Sequence, residues 1–322
     1  MSQAMSVKEL LTHLSQVFYP AAFVEQNIQS LKAVIPPNRQ VLISAMPKTG
    51  STLLFRALAT AINRPINLAT YSTDGNENEL YFPALAQAAL LKPGLCRLHM
   101  RATRPNLALL KAFNITPIIQ IRNLLDILVS QRDHILRDLF STTGAVTAHQ
   151  ADPLHAHFRA LDHEQQFDLL IDQRVPWLLE FYRSWAEAEM RGDVKLHWLD
   201  YSELNADKVG SIVRAAAFLG MDCSPQRVEA ALALLPPKKT RFNQAVEGRG
   251  EQALSDAQKE RVIAMARHYP WIDFTPLGLP VAPSTTAPGI APGIAPGVAP
   301  GVAPGIIAAM ASDSAPDSAA AA

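Results

Sequence analysis

The stretch Val41-Leu-Ile-Ser-Ala-Met-Pro-Lys-Thr-Gly-Ser-Thr-Leu-Leu-Phe-Arg56 carries the residue types of an anion site. An apolar run feeds a small polar turn and then a helical pattern, so the first backbone N–H groups of the helix face the turn, where an anion is favoured. Lys48 adds a full positive charge, while Thr49, Ser51 and Thr52 add hydroxyls and Gly50 permits a sharp turn. The segment lacks the glycine-to-lysine spacing of an ordinary ATP or GTP loop. A second cation, Arg122, stands at the end of the short apolar run Pro117-Ile-Ile-Gln-Ile121, and its planar guanidinium suits bidentate bonding to phosphate oxygens. Ser130 follows eight residues later. Arginine and serine can share one phosphate only if the strand end and the next helix fold towards each other. A third piece, Leu95-Cys-Arg-Leu-His-Met100, puts the imidazole of His99 at the carboxyl end of another apolar run.

These pieces need elements to hold them. Val41 to Ile43, the runs near Leu95 and Ile118, and the alternating run from Val194 read as strands. Thr52 to Ile62, a segment starting near Leu124, and Ala206 to Leu219 read as helices. Strands alternating with helices predict an α/β fold: a central parallel sheet with helices on both faces and ligands gathered at the carboxyl ends of the strands.

In motif order the chain resembles the sulfotransferases of the cytosolic and bacterial type over about Gln40 to Gly278. Pro47-Lys-Thr-Gly-Ser-Thr52 is similar to their 5′-phosphosulfate loop, and the Arg122 and Ser130 spacing to their 3′-phosphate site. The resemblance implies a P-loop-like three-layer fold and 3′-phosphoadenosine 5′-phosphosulfate (PAPS) as sulfuryl donor, with no metal required. It assigns Lys48, Thr49, Gly50, Ser51, Thr52, Arg122 and Ser130 to that donor. Arg97 and His99 match a basic residue followed two positions later by the family's general base, with arginine here where lysine is usual. His99 and Lys48 are then the expected catalytic pair: the histidine takes the acceptor's proton while the acceptor attacks sulfur in line, and the lysine stabilises the leaving phosphate. Tyr201, in Asp200-Tyr-Ser-Glu-Leu204, falls on the tyrosine that contacts adenine in relatives, and Gly248-Arg249-Gly250 on their basic loop over the 3′-phosphate, which nominates Arg249 and Gly250. The chain departs from the family at Leu53, where many members have a tryptophan stacked on adenine, and Phe242 is a speculative substitute. A kinase or other phosphotransferase of similar fold is the alternative, and a catalytically inactive nucleotide-binding protein a third reading. A kinase needs a carboxylate for Mg²⁺, and Asp126 is a poor candidate.

Composition bounds the rest. The chain has 322 residues, with 29 basic and 29 acidic side chains, so nothing draws it to nucleic acid in general. No stretch reaches the roughly 20 apolar residues that a membrane helix needs, and the N-terminus does not read as a secretory signal. The expectation is a cytoplasmic protein with reduced Cys96 and Cys223. Residues 1–38 are expected to form a helical segment packed on the core and 39–279 the sulfotransferase-like domain. Residues 280–322, with five Ala-Pro-Gly-Ile/Val units between Ala287 and Ile306, are expected to be a disordered tail. Within the domain, about 131–185 loses its strand pattern and carries His134, His149, His155, His157 and His163. Their mixed surroundings favour a mobile, partly helical lid over the acceptor pocket rather than a metal site, with Phe140, Phe158 and Phe167 either as its apolar walls or as ordinary packing, and Phe181, Tyr182 and Trp185 as a core helix face. The acceptor is expected to be a small molecule or sugar offering a hydroxyl or amine, and oligomeric state is not readable.

Overall fold

The computed structural model describes residues 28–29, 31–33, 35–70, 77–90, 93–138, 158–235 and 246–283. Strand β1 (Gln40–Ala45) is buried along its whole length, as an uninterrupted Val-Leu-Ile run must be when both faces of a sheet are covered. It pairs in parallel with β2 (Gly94–Leu98) on one side and β3 (Ile118–Ile121) on the other, and β3 pairs in parallel with β4 (His197–Asp200). The sheet order is β2-β1-β3-β4. The chain therefore leaves β1 for one neighbour and later returns to the other, so strand order reverses at β1 and a crevice opens at the carboxyl ends of β1 and β3.

Period-two alternation in the strands divides the core into two layers. Leu42, Cys96, Leu98, Ile119 and Ile121 pack with α3 (Arg104–Ala112), α4 (Leu124–Asp138) and α5 (His163–Met190). Val41, Ile43, Leu95, Ile118 and Leu199 pack instead with α1 (Ser51–Ala61), α7 (Lys208–Phe218) and α8 (Pro225–Ala233). Helices thus cover both faces, the three-layer α/β architecture expected. Burying each such Leu or Ile contributes about 1.5 to 3 kcal/mol. The remaining helices are α2 (Phe82–Leu90), α6 (Tyr201–Ala206), α9 (Arg249–Ala253) and α10 (Asp256–Ala266). Among the described residues no helix is long and apolar enough to cross a membrane.

Three boundaries differ from the sequence reading. The strand expected from Val194 begins at His197, because its partner β3 offers only Ile118 to Ile121 for pairing. The helix expected over Ala206 to Leu219 divides at Asp207, whose extended backbone (φ −138°) and carboxylate cap the Gly210 N–H at the start of α7. The second half of the expected lid is a packed element. Helix α5 starts at a capping box of Asp162 and Gln165 and buries Phe167, Leu170, Ile171, Phe181 and Trp185. Phe158 and Phe167 are completely buried, so they are core rather than pocket wall. Phe140, Phe242, His149, His155, His157 and the Ala-Pro-Gly units lie outside the described residues, as does most of the N-terminal segment, of which 28–29 and 31–33 are helical with Ile28 and Leu31 packed on the core. Val281, inside the expected tail, is buried in that same core.

Candidate active site

The turn between β1 and α1 is held from inside. Thr49 Oγ1 donates to the Met46 carbonyl at 2.8 Å, Gln120 Nε2 to the Thr49 carbonyl at 2.7 Å, and Arg122 Nη1 to the Lys48 carbonyl at 2.9 Å. With those carbonyls engaged on the β3 side, α1 opens with the Ser51 and Thr52 N–H groups, which have no acceptor one turn back in the helix, while the Leu53 N–H already donates to the Gly50 carbonyl at 2.9 Å. Gly50 (φ +73°) makes the left-handed cap from which α1 starts. Lys48 also has a positive φ, +67°, which costs a residue with a Cβ roughly 1 kcal/mol or more. Ser51 Oγ and Thr52 Oγ1 lie 3.1 and 3.4 Å from Arg97 Nη1, which donates to them. Each hydroxyl, accepting from the guanidinium, keeps its own O–H to give to an anion.

Arg122 leaves the end of β3 into a buried position, 7% exposed. Its guanidinium lies 4.1 Å from the centroid of the Tyr201 ring, and Nη2 is 3.8 Å from the Asp126 carboxylate. Burial pushes the arginine's pKa down, offset by Tyr201 and Asp126, and it pushes the Tyr201 phenol up. Nε of Arg122 is buried with no hydrogen-bond partner among the described residues. Such a donor is costly unless a ligand oxygen meets it. Tyr201, just after β4, also abuts Gly50: a Cβ there would come within 3.2 Å of the ring. One aromatic ring therefore lies against both the Arg122 guanidinium and the Gly50 turn, a placement beyond the adenine contact that the resemblance implies for it.

Ser130 is buried on α4, on the same helix face as Asp126 and Asp133, four residues before and three after it. The turn before α9 lies along that face. Asp126 accepts from the Gly248 and Gly250 N–H groups at 2.9 and 2.8 Å, and Arg249 Nη2 pairs with Asp133 at 2.8 Å. Arg249 is thus engaged by a carboxylate one helical turn beyond Ser130 on α4. The Gly250 N–H is likewise spent on Asp126, and a Cβ at Gly250 would lie 2.4 Å from Leu125 Cβ, so here the glycine serves close packing.

His99 sits one residue beyond β2. Its Nδ1 is 2.6 Å from the Ala45 carbonyl oxygen. A carbonyl only accepts, so Nδ1 carries the proton, and in the neutral ring Nε2 is left as the basic nitrogen. Asn78 fixes the backbone at this point: its Oδ1 accepts from the His99 N–H at 2.8 Å and its own N–H donates to the His99 carbonyl at 2.8 Å. The next residue, Met100, offers its carbonyl to Ser44 Oγ and Trp185 Nε1, which ties the strand end to β1 and α5.

Beside the turn opens a cavity of about 220 Å³, lined by Pro47, Glu77, Gln131, Arg174, Trp177 and Leu178 among others. Three of these are chain neighbours of Lys48, Asn78 and Ser130. Trp177 Nε1 donates to the Glu77 carboxylate, whose other oxygen accepts from Arg101 Nε at 2.7 Å. The walls combine the apolar surfaces of Pro47, Trp177 and Leu178 with the polar groups of Glu77, Gln131 and Arg174, and no phenylalanine is among them.

The fold brings Lys48, Gly50, Ser51, Thr52, Arg97, Arg122 and Tyr201 into one connected set and hangs His99 from the end of β1, the strand that leads into it. Sequence reasoning missed Asn78, Gln120, Glu77 and Trp177, and it considered Asp126 only as a metal ligand. Polar residues inside or flanking the motif strands were the one available signal for Gln120.

A search of curated proteins found no match. Among solved structures, the mouse sulfotransferase SULT7A1 complexed with PAP is 17% identical, with a TM-score of 0.47 over 76% of this chain and 90% of that one. Retinol dehydratase in complex with androsterone and the inactive cofactor PAP is 13% identical, with a TM-score of 0.46 over 77% and 84%. A sulfotransferase from Alicyclobacillus acidocaldarius is 16% identical, with a TM-score of 0.41 over 76% and 95%. Residues 38–271, which contain every strand and every residue placed in the site above, match the sulfotransferase domain family, and the chain belongs to it.

Proposed function

We propose that the protein transfers a sulfuryl group from PAPS to a hydroxyl or amine of a small-molecule or sugar acceptor, with His99 as general base. The observation that carries the donor assignment is the bond from Arg122 to the Lys48 carbonyl, which makes the two anion sites adjoin. A nucleotide with phosphate at both its 3′ and 5′ positions needs such a pair. The unpartnered, buried Nε of Arg122 fits the same donor.

PAPS, when bound, supplies the sulfuryl group and a bisphosphate leaving group. Lys48, the Ser51 and Thr52 hydroxyls and the first N–H groups of α1 stabilise the negative charge that grows on the leaving phosphate, and they are fixed beforehand by Arg97, Gln120 and Arg122. Nε2 of His99 takes the acceptor's proton, because Nδ1 is committed to Ala45. The cavity between Pro47, Glu77 and Trp177 is where we place the acceptor. At about 220 Å³ it is smaller than the pockets of drug-sized ligands, and its amide, carboxylate and guanidinium groups suit a hydroxylated molecule. The Asp126 carboxylate is engaged by two N–H groups and faces Arg122, which disfavours the kinase alternative because that residue cannot serve Mg²⁺ as it stands. We place the reaction in the cytoplasm, a setting that suits the two free thiols of Cys96 and Cys223.

The test is transfer from radiolabelled PAPS by purified His99→Ala set against calorimetric binding of adenosine 3′,5′-bisphosphate. Turnover should fall about 10²- to 10⁴-fold with binding retained. Full turnover by the variant removes the base assignment, and a wild-type protein that does not bind the bisphosphate removes the donor.

A further inference from the structure

We propose that Asp126 is a positioning residue of the donor site, a buried carboxylate that holds Arg122 and the turn at 247–250 as one unit over the helix face carrying Ser130. The proposal rests on the donor reading above. Asp126 is 2% exposed, and among the described residues its oxygens meet two backbone N–H groups and a guanidinium. The Gly248 N–H approaches Oδ2 at 2.9 Å, the Gly250 N–H approaches Oδ1 at 2.8 Å, and Arg122 Nη2 lies 3.8 Å from Oδ2. The two carboxylate oxygens thus accept one backbone N–H each, and Oδ2 also faces the guanidinium. An asparagine at this position offers one acceptor oxygen and turns an NH₂ towards another donor.

The contact is reinforced from both sides. The absence of a Cβ at Gly250 lets the turn lie directly on α4, since a Cβ would meet the Asp126 backbone nitrogen at 2.8 Å. Further along the same face, Arg249 is pinned by Asp133. The turn is therefore attached to α4 before and after Ser130. At its other end the unit reaches the 5′ site, because Arg122 Nη1 holds the Lys48 carbonyl at 2.9 Å. Asp126 acts through Arg122 and the turn, so its effect belongs to recognition of the 3′-phosphate rather than to the sulfuryl transfer step.

Calorimetric titration of full-length wild type and Asp126→Asn with adenosine 3′,5′-bisphosphate and with adenosine 5′-monophosphate tests this, alongside steady-state kinetics with PAPS. Losing charged hydrogen bonds should raise the bisphosphate Kd and the KM for PAPS about 10- to 100-fold. The monophosphate Kd and kcat at saturating PAPS should change several-fold less than the bisphosphate Kd, because Asp126 reaches the 5′ turn only at one remove, through Arg122. Equal weakening towards both nucleotides, or no change towards either, overturns the proposal. Should the variant fail to fold, hydrogen exchange of wild type decides: the bisphosphate should slow exchange across 246–254 and the monophosphate should not. Equal slowing by both, or by neither, again overturns it. A wild type that binds neither nucleotide overturns the donor reading itself, and the clamp with it.

Discussion

Replacing Asn78 by alanine should damage catalysis out of proportion to stability. Of the two bonds joining Asn78 to His99, the backbone one at 2.8 Å survives the substitution, while the one from the His99 N–H to Asn78 Oδ1, also 2.8 Å, is lost. A neutral hydrogen bond contributes about 0.5 to 1.5 kcal/mol, and a buried N–H left without an acceptor costs up to about 3 kcal/mol. In a domain of this size each kcal/mol lowers Tm by about 2 to 4 °C, so the protein should remain folded at assay temperature. The imidazole then keeps the bond of Nδ1 to the Ala45 carbonyl but loses the side-chain constraint on its own backbone. A misplacement near 1 Å costs about 10²-fold, and the whole base contribution is bounded at about 10²- to 10⁴-fold. We therefore expect kcat to fall about 10- to 100-fold, with the Kd for adenosine 3′,5′-bisphosphate unchanged. Asn78→Asp keeps the acceptor oxygen, and Nδ2, which it loses, has no hydrogen-bond partner among the described residues. The added negative charge favours the imidazolium, so the acidic limb of its rate profile should move to higher pH. Wild-type kcat for Asn78→Ala beside an inactive His99→Ala would refute the reasoning, as would loss of nucleotide binding in step with turnover.

Tyr201→Leu removes the ring 4.1 Å below the Arg122 guanidinium, an interaction of about 0.5 to 2 kcal/mol, so the bisphosphate Kd should rise about 2- to 30-fold. Tyr201→Phe, which keeps the ring, should bind as wild type in the same calorimetric assay. Alkaline pH should destabilise the fold through Cys96, whose thiol burial pushes up to about 12. Below the unfolded thiol's value of about 8.5 both states hold the proton and nothing is lost; above it the unfolded chain releases a proton that the folded one keeps. Stability should then fall by about 1.4 kcal/mol per pH unit from this residue until the folded value is reached. Urea unfolding of wild type and Cys96→Ala across that range checks it, the variant giving the flatter dependence.

What the sequence determined by itself is what the chain encodes locally. The strand, turn and helix around Lys48, the strand ends at His99 and Arg122, and the three-layer architecture follow from apolar runs of strand length, a turn glycine and helical periodicity, all carried by adjacent residues. Tertiary structure decided how those ends are joined and held. Asn78 meets His99 across 21 positions, and Asp126 meets Gly248 and Gly250 across 122 and 124. No periodicity marks such contacts, because a side chain that captures a distant backbone group looks in sequence like any surface polar residue. For the same reason Asp126 read only as an unpromising metal ligand, although once buried its carboxylate must find donors. The region after Gln131 read as a partly helical cover with a core face at Phe181, Tyr182 and Trp185; from His163 it is one long helix that buries those residues and Phe167 with them. Whether Phe167 faces a ligand or the core depends on which layer α5 packs against, and only the assembled sheet settles that.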